Sequence, residues 1–94
     1  MDAISRHASE NTDYTQIFEQ DSFDIGFYCP IRYDPQTPHS RDELYIIAAG
    51  SGDFVCGNET QSISVGDILF VPAGVEHRFV NFTYDFATCV VFLR

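Results

Sequence analysis

From Tyr14 onward the chain breaks into short runs rich in β-branched and aromatic residues, separated by turn residues. Residues 22–31 put Phe23, Ile25, Phe27, Cys29 and Ile31 at every second position, the period of a strand with one apolar face. Residues 60–65 (TQSISV) alternate in the same way. Runs at 14–19 (YTQIFE), 43–49 (ELYIIAA), 53–57, 68–72 (ILFVP), 76–82 (EHRFVNF) and 86–93 (FATCVVFL) complete the set. They are bounded by a loop over 33–42 with Pro35 and Pro38, by Gly50-Ser51-Gly52, and by the turn dipeptides Gly57-Asn58 and Gly66-Asp67. After residue 14 no stretch carries an apolar stripe of helical period. Many short strands at regular spacing predict an all-β sandwich or barrel with no helix longer than about two turns. Residues 1–13 are polar and predict a mobile tail ahead of a single domain over 14–94.

Composition sharpens this picture. With 45% hydrophobic residues, nine Phe and five Tyr, the 94-residue chain has bulky core material. A domain this short buries only roughly 60–65% of its unfolded surface, so a bound metal or a partner copy would help it. Fourteen acidic residues against five Lys and Arg give a net charge of −9. That argues against nucleic acid and against anionic lipid as partners. Nothing approaches the eighteen or so apolar residues of a membrane span, and the N-terminus has no secretory pattern. Cys29, Cys56 and Cys89 are odd in number and form no Cys-x-x-Cys pair. They read as small buried hydrophobes in a reducing cytoplasm.

The chemistry concentrates in two places. Gly66, Pro72, Gly74, His77 and Asn81 stand in GDILFVPAGVEHRFVN at the spacing G-x5-P-x-G-x2-H-x3-N. His39, Glu43 and Gly50 stand in HSRDELYIIAAG. Both segments resemble the cupin family, whose first motif reads G-x5-H-x-H-x3-4-E-x6-G and whose second is the one just given. The second is matched throughout. In the first, Ile31 stands at the leading Gly and Thr37 at the first His. The resemblance covers residues 31–50 and 66–81. It implies a double-stranded β-helix, or jelly-roll barrel, holding one divalent transition metal ion on His39, Glu43 and His77. It also implies a homodimer, for which the segment 14–19 is the candidate interface.

The residues support a site independently. Alternation places His77, Phe79 and Asn81 on one strand face, and Glu43, Tyr45 and Ile47 on another. A barrel can bring two such faces together. Two His and one carboxylate suit non-heme Fe(II) or a catalytic zinc with an open position, and manganese, nickel and copper are also compatible. Gln36, through its amide oxygen, or Thr37, beside a metal-bound water, are candidate further neighbours. Tyr45 is the candidate catalytic residue. The competing reading makes the histidines ordinary hydrogen-bonding groups and Glu43 a solvated strand-end charge. Arg32, Arg41 and Arg78 could grip a carboxylate, but with fourteen acids present surface ion pairing is the simpler account. Arg78 should point outward, next to inward His77. Asn81 reads as structural, and Asp21-Ser22-Phe23-Asp24 as a solvated turn. Two functions follow: a metal-dependent oxygenase, isomerase or lyase acting on a small molecule, or a non-catalytic module that binds or senses a small ligand.

Overall fold

The structure is a computed structural model that describes residues 14–30 and 39–93. Gln36, Thr37, Arg32 and the segment 1–13 lie outside the described residues. Among the described residues every regular element is a strand: β1 (Tyr14–Glu19), β2 (Phe23–Tyr28), β3 (Glu43–Ala49), β4 (Ser51–Cys56), β5 (Glu59–Ser64), β6 (Ile68–Val71), β7 (His77–Val80) and β8 (Ala87–Leu93). Among the described residues no helix is long and apolar enough to cross a membrane.

The strands form a five-stranded sheet, β1-β2-β8-β3-β6, facing a three-stranded sheet, β5-β4-β7. All pairings are antiparallel. From β3 onward the chain passes between the sheets repeatedly, which is the jelly-roll course the sequence predicts. The shortest dimension, 23 Å, accommodates two sheets about 10 Å apart with side chains on both outer surfaces.

The core lies between the sheets. Tyr45, Ile47, Leu69, Val71 and Val90 come from the large sheet, and Phe54, Ile63 and Phe79 from the small one. Phe79 sits at the centre of an aromatic stack, with ring centroids 5.0 Å from Tyr45, 5.0 Å from Phe54 and 4.9 Å from Phe86. Each such pair adds about 0.5–1.5 kcal/mol beyond the burial of its area.

Register decides which face of each strand sees this core. Tyr45 pairs with Val90 and Leu69, and Val90 with Gly26. Gly26 therefore faces inward, with Asp24 and Tyr28 two positions to either side. The alternating apolar set of this run, Phe23, Ile25 and Phe27, lies on the outer face of the sheet. Several strand limits also differ from expectation. β2 ends at Tyr28, before Cys29 and Pro30. β4 begins at Ser51, because Gly50 alone turns the chain, with φ at 74°. Gly52 is inside the strand, where a Cβ would stand 2.9 Å from the Phe82 Cα. β7 ends at Val80, because Asn81 adopts a φ of 52°. Asn81 therefore leaves the face it was expected to share with His77 and Phe79. Its amide instead donates to Asp53 Oδ2 at 3.2 Å, the structural role its position suggested.

Candidate metal centre

Glu43 opens β3 and is fully buried, at 0% exposure. Its Oε1 lies 3.0 Å from His77 Nε2 and 3.4 Å from His39 Nε2. Donor atoms of His39, Glu43 and His77 all fall within 4.8 Å of one another. The structure thus brings together the three residues named from the sequence. Glu43 and His77 are inside, while the His39 side chain is 33% exposed and forms the outer side of the cluster.

Local backbone structure explains the convergence. The turn after β6 runs Pro72-Ala73-Gly74, with Gly74 at a φ of 81°. That conformation is easy for glycine and costly for other residues. It directs Gly74 N–H to the carbonyl of His39 at 2.7 Å. Ala73 N–H donates to Asp42 Oδ1, also at 2.7 Å. Two hydrogen bonds therefore fasten the loop carrying His39 to the turn that delivers His77. Within that turn His77 Nδ1 donates to the Val75 carbonyl at 2.9 Å. A carbonyl only accepts, so Nδ1 carries the proton, and in the neutral ring the Nε2 lone pair points into the cluster.

That lone pair faces a carboxylate oxygen, an arrangement that repels unless a positive charge or a proton lies between. The Tyr45 hydroxyl, 3.0 Å from His77 Nε2, supplies one hydrogen bond to the ring. Among the described residues, neither oxygen of Glu43 has a hydrogen-bond donor. A buried carboxylate in that state costs several kcal/mol unless a cation meets it. The donor spacing fits a cation: four ligands around zinc at about 2.1 Å stand about 3.4 Å apart. Two imidazoles and one carboxylate are also donors that zinc and iron accept.

Further residues surround the cluster that the sequence reading did not place there. Phe92, the cross-strand partner of both Glu43 and Asp24, stacks edge-on with His39 at 5.4 Å and with Tyr14 at 6.1 Å. The Arg41 guanidinium lies 5.0 Å above the Phe92 ring and binds Asp24 Oδ2 at 2.9 Å. Asp24 is 4% exposed, which corrects its reading as part of a solvated turn. Arg41 is an ion-pairing residue, as the acidic composition implied. Arg78 is exposed, as alternation required. Tyr14 lies across Gly26, where any side chain would collide with the phenol ring. Burial first, and then the negative charge of Asp24, push the Tyr14 hydroxyl above its ordinary value of 10.0. The signal for Asp24 was present in the sequence: it occupies the alternate positions to Phe23 and Ile25, with Gly26 and Tyr28.

Comparison with known proteins agrees with this architecture. Residues 30–92 match the family model described as "Cupin domain". An uncharacterized protein of Streptomyces coelicolor is 31% identical over 90 residues, spanning 94% of this chain and 86% of that protein. A cupin-2 domain containing protein from Shewanella frigidimarina superposes with a TM-score of 0.77 at 14% identity, over 100% of this chain and 94% of the other. The DMSP lyase DddQ of Ruegeria pomeroyi gives a TM-score of 0.68 at 26% identity, over 80% of this chain and 40% of the lyase. The jelly roll, the paired motifs and the extent of the family match together make this chain a member of the cupin family.

Proposed function

We propose that this cupin is a metal-dependent enzyme acting on a small molecule, with one divalent transition metal ion, zinc or iron foremost, on His39, Glu43 and His77. The observation that carries this is the buried Glu43 carboxylate, facing two imidazole nitrogens with no hydrogen bond to either oxygen. Structural zinc sites normally use four protein ligands and catalytic ones three, the number found among the described residues. His39, on the more exposed side of the cluster, marks the side from which a small molecule would approach. These features favour a working site over a structural one.

Tyr45 favours proton-transfer chemistry, of lyase or isomerase type, over oxygenation. Its phenol is 1% exposed, and the hydroxyl lies within hydrogen-bonding reach of the cluster. A neutral phenol there can give a proton to a reacting atom and take one back. A bound metal would supply Lewis acidity, stabilising negative charge on a substrate oxygen. Phe54 and Phe79 wall the inner side with apolar surface, which strengthens charge interactions within. The lyase activity named for the Ruegeria protein belongs to the same class.

Elemental analysis and metal titration of the purified protein test the reading. One ion per chain is expected, with His77→Ala weakening binding by about 10–100-fold or more. Tyr45→Phe should retain the metal and lose lyase or isomerase turnover in a screen of small carboxylic and carbonyl compounds. A wild-type protein that takes up none of zinc, iron, manganese, nickel and copper would refute the proposal.

A further inference from the structure

We infer that Arg41 is an anion subsite beside the metal cluster, and that the small molecule taken by this cupin carries a carboxylate held on its guanidinium. This subsite presupposes the metal-dependent function and names its substrate class. Among the described residues Arg41 and Arg78 are the only Lys or Arg. Arg78 is exposed on β7, with His77 and Phe79 on the inner face. Arg41 lies at the cluster instead. Its guanidinium carbon stands 5.0 Å from the centre of the Phe92 ring, and the His39 ring packs edge-on against the same phenyl at 5.4 Å. Both side chains keep about a third of their surface open, 35% for Arg41 and 33% for His39. One small molecule can then reach both from the solvent side.

Three features separate Arg41 from an ordinary surface ion pair. Its backbone is fixed on both sides: the His39 carbonyl accepts from Gly74 N–H at 2.7 Å, and the Asp42 carbonyl accepts from Leu93 N–H at 2.9 Å. Its guanidinium is also held at two points, by the Phe92 ring and by Asp24 Oδ2 at 2.9 Å. Asp24 is 4% exposed, so this support is itself immobilised. Little rotamer freedom is then lost when an anion binds. Finally, binding capacity is left over. A guanidinium has five N–H donors, and among the described residues Arg41 engages one of them, on Nη1. The remaining donors include a parallel pair of the kind that grips both oxygens of a carboxylate. Charge selects the class of ligand. With neutral imidazoles, a divalent ion together with Glu43, Asp24 and Arg41 leaves a single positive charge, which one carboxylate cancels. A phosphate dianion would leave uncompensated negative charge beside buried Glu43 and Asp24, in a chain of net charge −9.

Nuclear magnetic resonance titration of the full chain, nitrogen-15 labelled, with and without zinc, tests the subsite. The probes are propionate, lactate and pyruvate, each against its neutral amide. Binding is read from the Arg41 Nε–H resonance, identified by its absence in Arg41→Gln. At least one carboxylate should shift this resonance and bind about 10-fold or more tighter than its amide. Arg41→Gln should abolish that preference while changing zinc affinity by less than about tenfold, the smallest loss expected when a ligand is disturbed. Arg41→Lys should retain part of the preference, because an ammonium keeps the charge without the fork. Should Arg41→Gln alone fail to fold, Asp24→Asn/Arg41→Gln removes both charges together and gives the same comparison. Wild type that binds none of the three carboxylates, or binds amides as tightly, would overturn the inference. So would a carboxylate preference that survives in either folded glutamine variant. Zinc-loaded protein without the preference refutes the subsite and leaves the metal centre standing. Protein that takes up no metal yet shows an Arg41-dependent preference refutes the enzyme and supports the subsite.

Discussion

Glu43 is a residue whose cost and use have the same origin. Its charge is buried without a hydrogen bond, so the metal-free protein carries a penalty that a cation would remove. Glu43→Gln should therefore act with opposite signs in two conditions. Without metal the variant should melt at or above wild type, with a gain of about 1–3 kcal/mol from removing an uncompensated charge. With excess zinc it should melt below wild type, having lost a ligand. Thermal melts in chelator and in zinc read both signs. Tyr14 provides a second test at this scale. Burial and Asp24 raise its pKa in the folded protein above the unfolded value of about 10. The folded state then holds the phenolic proton more tightly. This contribution to stability is complete below about pH 10 and disappears as pH rises through the folded pKa. In ultraviolet titration, the wild type minus Tyr14→Phe difference should show a phenol ionising above pH 10. A difference curve centred at or below pH 10 would contradict this placement.

At the scale of elements, the short β-rich runs and the turn residues between them located all the strands among the described residues, but not always their ends or their inner faces. Apolar residues lie on both sides of the large sheet, and the most regular alternation of β2, Phe23, Ile25 and Phe27, marks its outer surface. Strand limits depended on backbone conformations that composition does not reveal, such as positive φ at Gly50 and Asn81. The cluster itself was legible because His39, Glu43 and His77 stand at fixed motif spacings. Its surroundings were not, because Asp24, Tyr14 and Phe92 reach it only through cross-strand register. Gly26 shows how that register creates space. A methyl group there would collide with the Tyr14 ring, so Gly26→Ala should destabilise by about 1–3 kcal/mol in urea. In a Tyr14→Ala background the same change should cost little. An undiminished cost in that background would mean that the clash with Tyr14 is not its cause.

For the molecule as a whole, 94 residues provide a modest core, and ligand binding adds to it. A metal bound only by the folded state, present at 100 times its dissociation constant, contributes about 2.7 kcal/mol. In a domain of this size that raises the melting temperature by about 10–20 °C. Zinc titration followed by chelation should move the melting temperature up and back by that amount, and His77→Ala should not respond. A chelator-insensitive wild type would indicate that the cluster contributes to the fold without a cation.

The bond from Gly74 N–H to the His39 carbonyl has a consequence for engineering and for divergence. It holds the loop through the main chain, whatever side chain occupies position 39. The ligand there is therefore a replaceable part on a fixed mount. Cysteine or aspartate at position 39 should keep the loop in place while altering the preferred metal, so new chemistry can be sampled at this corner without rebuilding the barrel.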